Sequence, residues 1–542
     1  MAGQDRRLLP GAARRARRVA RGTVTRKATA RKKSPGGRRF ILVIDVGSSS
    51  VRANLYDRRA RLVEGSQEAR HFALHTAADG TADEDALALV VETEKVVDAV
   101  LAKARARAKD IAAVGLDTLV FAACGVDARG VPVTPLYTYA DTRARGQAQE
   151  LRHELDFAEV YQRTGCPLHT SYMPARLRWL EAAHPGLARR VKRWLPVGSL
   201  LYGRWFGTSA VPVSYSVAAW SGLLDRRSLQ WDQALLRHLH VSADALPPLA
   251  DYDHSLRGLA PKYAKRWPAL RDVPFFLAVG DGAAANVGSG CVSPDRIALT
   301  VGTTGAMRVV LPDATPSVPA GLWAYKVGAK ETLLGGALSE GGNVFAWATA
   351  TLRLPPDKKL DAALRALPPD GHGLTILPFV AGERSPGWSN DAESITAGIH
   401  PATSALQILQ AWLEAVAFRV AIVGRLLSPH ASPTHEIVAS GGAMSASPYW
   451  VQLMADVIGR RVHLSRSEEL TSRGAAILTL RGLSLWRTLA DEALGTEDVY
   501  EPDASRAPVY QAALERQHRL YEKMLGADPA IGPALSAAVY RR

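Results

Sequence analysis

Short apolar runs ending in glycine or hydroxyl residues alternate along the chain with longer amphipathic stretches, the pattern of an α/β protein. Ile41–Ile44 is a β-branched run that predicts a buried strand, and Asp45 stands where it ends. Val46-Gly47-Ser48-Ser49-Ser50 turns the chain, and Val51–Tyr56 predicts a returning strand. The arrangement recurs without a gap at Leu299-Thr300-Val301-Gly302-Thr303-Thr304-Gly305, which leads into a second apolar segment, Ala306–Leu311. Two hydroxyl-rich hairpins in two halves of one chain point to a duplicated domain.

Between the hairpins, the pattern predicts a helix over Glu84–Ala108, a strand over Ile111–Leu116, and helices at Pro174–Ala183 and around Ala234–Leu239. A strand over Phe275–Val279 then leads to Gly280-Asp281-Gly282. The second half predicts a strand at Ile376–Val380 and a long helix at Ser404–Leu427, with Leu409, Leu413, Val416, Val420 and Val423 on one stripe. A strand running into Gly441-Gly442 follows, then a helix capped by Ser447 with Pro448 in its first position. The last assigned helix is Thr471–Leu480, where Gly474-Ala475-Ala476 predicts close packing; residues beyond about Arg481 read as helix-rich.

A chain of 542 residues holds two or three domains. Three widely separated cysteines, Cys124, Cys166 and Cys291, argue against a disulfide framework or zinc site and for a reducing, cytoplasmic setting. No apolar run reaches the ~20 residues that span a bilayer, so no membrane partner is expected. The net charge of +15 is local: eleven arginines, three lysines and one aspartate precede residue 41, leaving +2 for the rest. Residues 1–38 are therefore expected to be a disordered basic tail. Nucleic-acid binding through that tail is less expected than a functionally neutral extension. The rest divides into 39–290, 291–485 and a helical extension, 486–542.

The hairpin turns suit an anion. Gly47 and the small residues beside it leave N–H groups and hydroxyls exposed to phosphate. No Gly-x-x-x-x-Gly-Lys-Ser/Thr loop is present, so a nucleotide here would be clasped by two hairpins instead. Asp45, at the mouth of the first, suits a hydrated Mg²⁺. Asp117, Thr118 and Phe121 follow a strand end, where ligands gather in open α/β sheets. Tyr137–Arg143 combines an aromatic ring, a carboxylate and a guanidinium, a set that suits a polyol or sugar. Asp281, flanked by glycines between a strand and a helix, is placed either for general-base work or as a helix cap.

With these segments in order, the chain resembles the FGGY family of carbohydrate kinases from about Phe40 to Leu480. The resemblance rests on DVGSSSVRA, MPARLRWL, GDGAAANVGSG, LTVGTTGAM and SGGAMSASPYWVQLMADVIG. It implies an actin-like, duplicated ribonuclease-H-like fold with ATP and sugar in the cleft between domains. It further implies Asp45 as the Mg²⁺-associated acid and Asp281 as the general base. Gly47, Ser48, Ser49 and Arg52 match the first phosphate segment, Gly302, Thr303 and Thr304 the second, and Gly441, Gly442 and Ala443 the adenosine segment. One departure is Arg176, where the family usually has lysine. Within the family, SYSVAAWSGLLDRRSLQWD, AGERSPGW and GGALSEGG look most like gluconate kinases, with xylulose, ribulose and glycerol kinases as alternatives. A non-catalytic ATP-binding regulator on the same fold is a further alternative. A sugar acid calls for a cation or backbone donors in its pocket, and Arg143 is the candidate cation. The expected partner is a small sugar or sugar acid, with a homodimer left open.

Overall fold

The apolar run before the first hairpin becomes a central strand. In the computed structural model, β1 (Phe40–Val46) is buried along nearly its whole length, because it has sheet neighbours on both sides. It pairs antiparallel with β2 (Ser50–Tyr56), which pairs antiparallel with β3 (Glu68–His71). On its other edge it pairs parallel with β4 (Ile111–Thr118). With β5 (Ser255–Leu256), β6 (Phe275–Phe276) and β7 (Val279–Gly280) this makes a seven-stranded sheet of order β5-β6-β4-β1-β2-β3, with β7 also on β4. The structure describes residues 37–540 except Ala314, Asn390, Glu468, residues 490–497 and Ala527. The expected basic tail, apart from Gly37 and Arg38, lies outside the described residues.

The second half repeats the plan. β8 (Arg296–Val301), β9 (Gly305–Leu311), β10 (Trp323–Lys326), β11 (Thr332–Ala337), β12 (Glu436–Ser440), β13 (Val462–Leu464) and β14 (Asp498–Tyr500) form a sheet of order β10-β11-β9-β8-β12-β13-β14. With β10 set aside, β1, β2, β3, β4, β6 and β5 answer to β8, β9, β11, β12, β13 and β14. Every pairing keeps its parallel or antiparallel sense. This is the duplicated, actin-like architecture that the sequence leads one to expect.

Two strand expectations are cut short. Phe275–Val279 breaks into β6 and β7 because the backbone between them bonds elsewhere: Leu277 N donates to His254 O at 3.1 Å, and Ser214 Oγ donates to Ala278 O. Ile376–Val380 shortens to Thr375–Leu377, since Pro378 has no N–H for a ladder. The first helix, α1 (Ala86–Ala104), starts after Asp85, whose side chain accepts from Leu87 N and Ala88 N, and gives way to a 3₁₀ turn over Arg105–Asp110.

Four further helices place the site: α2 (Asp281–Gly288), α3 (Gly342–Thr351), α4 (Ala405–Leu427) and α5 (Pro448–Ile458). Next come α6 (Leu470–Gly482), α7 (Ala507–Leu525) and α8 (Gly532–Tyr540). Ser404 and Gln407 close a capping box on α4. Among the described residues, Ala405–His430 is the one helix long and apolar enough to cross a membrane, and most of it is buried inside the protein. α2 and α6 join the halves through glycine. A Cβ on Gly288 would lie 1.8 Å from Leu470 O, and one on Gly474 would lie 1.8 Å from Ala284 O, so neither position admits a side chain.

Candidate active site

The carboxylates expected from separate stretches meet at the strand ends of the first sheet. Parallel register sets Asp45 opposite Asp117, and Asp117 opposite Val279. Asp45 is 6% exposed and Asp117 is fully buried, and neither oxygen of Asp117 has a hydrogen-bond partner. Burial, followed by the nearby Asp45 charge, holds the Asp117 carboxyl well above the usual carboxylate range. Asp45 is itself pushed up to about 6 by burial, against the pull of Arg52. Two facing buried acids, with Arg52 the nearby opposing charge on Asp45 and neither Asp117 oxygen hydrogen-bonded, are unfavourable alone and suit a cation.

Asp281 is the first residue of α2, one position past the cap Gly280. Its Oδ1 accepts from Gly282 N at 2.7 Å. The role of cap is thus partly filled, but by one oxygen only. Burial pushes the carboxyl up to about 7, and the Arg308 charge opposes that shift. The Trp220 ring lies under this turn: a Cβ on Gly280 or Gly282 would come within 2.9 Å of it. Trp220 stacks on Tyr325 at 3.8 Å between centroids, and Tyr325 stacks on Trp323 at 4.1 Å.

The two hairpin turns differ in support. At the first, Gly47 N donates to Ser50 O at 2.9 Å, and Ser49 is exposed. Arg52, in register with Asp45 on β2, donates to Glu469 Oε1 at 3.4 Å. At the second, Gly302 N donates to Thr304 O at 3.1 Å, and Thr303 is exposed. Gly342 N donates to Gly302 O at 2.7 Å and Asn343 N to Thr303 O at 3.0 Å, tying this turn to the start of α3. Gly441 has φ 104°, and a Cβ there would lie 2.4 Å from Val301 O, so glycine is needed for both conformation and closeness. Gly442 and Ala443 begin the short helix Gly442–Ala446, and no atom lies within 4 Å of a Cβ built on Gly442.

A cavity of about 700 Å³ opens beside the second turn. Thr303, Thr304, Ser339 and Asn343 line one side, Tyr139, Arg145, His169 and Ser171 another, and Phe379–Arg384 a third. His169 is buried, its Nδ1 accepts from Ser171 N at 3.2 Å, and burial lowers its pKa to about 3, so the ring is neutral. An aromatic recess continues from the cavity, and Phe121, Tyr172, Trp220, Trp323 and Trp388 line it. Thr118 is buried at the end of β4, opposite Gly280.

Arg143 is not the cavity's cation. Its guanidinium is committed to Asp141 and to Asp83, the latter at 2.8 Å, and lies over the Trp179 ring at 4.7 Å. Arg176 is likewise structural, buried and donating to Thr138 O at 2.6 Å. Sequence reasoning missed Arg308. This residue of β9 donates to Thr300 Oγ1 at 3.3 Å, while its Nε is buried without a partner. Burial lowers its pKa to about 10, and the Asp281 charge opposes that shift. Its signal was adjacency: it stands just after LTVGTTGAM in the chain.

Comparison with known proteins agrees with this geometry. The sequence profile of the FGGY family of carbohydrate kinases, N-terminal domain, matches residues 40–288, and that of the C-terminal domain matches 297–483. Gluconokinase of Bacillus subtilis (strain 168) is 26% identical over 458 residues, covering 81% of this chain and 87% of that protein. Glycerol kinase of Stenotrophomonas maltophilia (strain R551-3) is 26% identical over 502 residues, covering 89% and 96%. Among solved structures, ligand-bound xylulose kinase from Lactobacillus acidophilus aligns with TM-score 0.82 at 23% identity, covering 90% of this chain and 98% of that one. Gluconate kinase from the same organism aligns with TM-score 0.82 at 23% identity, covering 91% and 99%.

Proposed function

The chain belongs to the FGGY family of carbohydrate kinases, and from that premise we propose that it transfers the terminal phosphoryl group of ATP to gluconate, giving 6-phosphogluconate. One observation carries the choice of a sugar acid over a neutral sugar. Arg308 is half-buried near Asp281, and its Nε is buried without a partner. A buried guanidinium N–H without an acceptor is costly, and a carboxylate on the acceptor sugar supplies a partner for it. Neutral ketoses and glycerol offer no such group.

In this reading Asp281 takes the proton of the attacking hydroxyl on Oδ2, the oxygen not engaged by Gly282 N. Arg308 holds the acceptor's carboxylate, and the aromatic recess excludes water around the carbon chain. The turns Gly47–Ser49 and Gly302–Thr304 offer N–H and hydroxyl groups to phosphoryl oxygens. Gly441, Gly442 and Ala443 border the adenosine. Asp45 and the unpartnered Asp117 fit a Mg²⁺ ion, which when bound supplies positive charge that balances the phosphates. Most of the acceleration then comes from positioning and charge. Cys124, Cys166 and Cys291 are all buried and lie far apart in the chain, which supports a reducing, cytoplasmic setting.

An ADP-release assay across gluconate, xylulose, ribulose and glycerol tests the acceptor. Gluconate should give the highest kcat/KM, and Arg308→Met should remove most of that preference while leaving ATP binding intact. A neutral sugar preferred by roughly tenfold or more overturns the sugar-acid reading and leaves the kinase reading standing.

A further inference from the structure

α7 lies beyond residue 483, where the match to the family's C-terminal domain profile ends, and its buried side chains hold a wall of the cavity. Gln517 is buried and donates to Ile376 O at 2.8 Å and to Ala415 O at 3.2 Å. This pins α7 to the strand Thr375–Leu377, from which the chain runs through Pro378 into the cavity-lining stretch Phe379–Arg384. One turn on, the Tyr521 hydroxyl donates to Glu383 Oε2 at 2.8 Å. The Tyr521 ring meets Phe379 edge-on at 5.9 Å, and Arg419 lies over the two rings at 4.9 and 5.2 Å.

Glu383 organises the loop that follows it. Its carboxylate accepts Gly387 N at 3.2 Å, Ser389 N at 3.3 Å and the Arg419 guanidinium. A Cβ on Gly387 would lie 2.1 Å from the Tyr521 hydroxyl, so the loop is drawn tightly onto α7. A second tie comes from Asp528, between α7 and α8, which accepts from Arg152 Nη1 at 3.0 Å. The same guanidinium donates to Leu168 O at 2.8 Å and to Trp388 O at 3.1 Å. Leu168 precedes His169 on the first-half wall, and Trp388 belongs to the second half. The His169 and Trp388 rings meet edge-on at 5.1 Å.

We propose that the C-terminal segment, residues 507–540, positions the acceptor side of the cleft, with Tyr521 acting through Glu383 and Asp528 acting through Arg152. The first tie ends on Glu383 in the cavity wall, and the second on Leu168, next to the wall residue His169, and on Trp388 of the aromatic recess; neither bonds to the turns at Gly47–Ser49 or Gly302–Thr304. A cleft wall made of loop needs such support, because acceptor geometry depends on side chains locked by a second layer of bonds. The proposal rests on reading the cavity as the acceptor site.

The test uses the full-length enzyme and whichever acceptor the ADP-release panel ranks first. Tyr521→Phe keeps the ring against Phe379 and Arg419 and removes the hydroxyl. Asp528→Asn keeps the shape and removes the charge. Each should raise the acceptor KM by roughly five- to tenfold, with the ATP KM and thermal midpoint near wild type, and Asp528→Glu should recover part of the loss. Acceptor and ATP KM rising together, or an unmoved acceptor KM, overturns the proposal. If Tyr521→Phe does not accumulate as folded protein, the partly exposed Asp528 carries the test alone. A neutral sugar as best acceptor sinks the gluconate reading but leaves this one testable on that sugar. Wild-type enzyme without acceptor-stimulated ADP release sinks both.

Discussion

The starts of α2 and α6 occupy equivalent places in the two halves, yet one carries a closed acid–arginine pair and the other an open one. At α6, Glu469 receives Arg52 from the β2 of the opposite half at 3.4 Å and Asn54 at 3.2 Å. At α2, Asp281 lies near Arg308 from the β9 of the opposite half; among the described residues no hydrogen bond joins them, and Arg308 Nε stays unpartnered. The strand ends diverge in the same way. Asp45 faces Asp117 in the first half, whereas Thr300 faces Ser440 in the second, with their hydroxyls 3.4 Å apart. The registers differ too: Val46 pairs with Val51, but Val301 pairs with Gly305, so the second turn is the tighter one. A duplicated backbone, altered at one turn, carries a latched acid–arginine pair in one half and an open one in the other.

Breaking the open pair should have the largest effect. Asp281→Asn should lower kcat by roughly 10²–10⁴ while ATP still binds, because asparagine caps a helix but accepts no proton. Single-turnover measurement separates the chemical step from product release. A variant that keeps more than about a tenth of wild-type kcat in that measurement would remove Asp281 from the mechanism. The same residue sets a pH profile. Burial raises its pKa to about 7, so the base is protonated below that value and kcat/KM should fall as pH falls through it. A flat profile across neutral pH would contradict the assignment.

Sharpening the acid-versus-hydroxyl contrast should give an intermediate effect. Asp117→Asn should raise the Mg²⁺ concentration for half-maximal rate by roughly tenfold. It should also raise the thermal midpoint in Mg²⁺-free buffer, since a buried, unpartnered acid is removed. Ser440→Ala, at the matching place in the second half, should leave the Mg²⁺ requirement unchanged. Equal responses from the two variants would erase the distinction between the halves. The smallest effect is expected at the latch. The Arg52 side chain is 37% exposed, so Arg52→Gln should cost about 1 kcal/mol or less of stability in denaturant melts and leave kcat within about twofold. A much larger fall in kcat would make Arg52 a phosphate ligand instead.

Much of this protein was written in local pattern. The gapless repeat of the hairpins, strand ends at Asp45 and Asp117, the helix cap at Ser447 and the glycine packing of α6 all follow from residues near one another in the chain. Such features depend on backbone sterics, short-range hydrogen bonds and apolar periodicity, which a sequence displays directly. They determined the duplicated fold and the acids at its strand ends. Tertiary structure decided how fully each arginine is partnered. Arg143 and Arg308 look alike in the chain, but Asp83, 60 positions away, takes up the first, whereas Arg308 emerges from β9 beside Asp281 without such a partner. The same holds for Asp117, whose isolation depends on the register of β4 between β1 and β7. Asp141, two residues before Arg143, is a partner the sequence displays, but Asp83 and the lack of a partner at Arg308 Nε are settled only by what folding brings within a few ångströms.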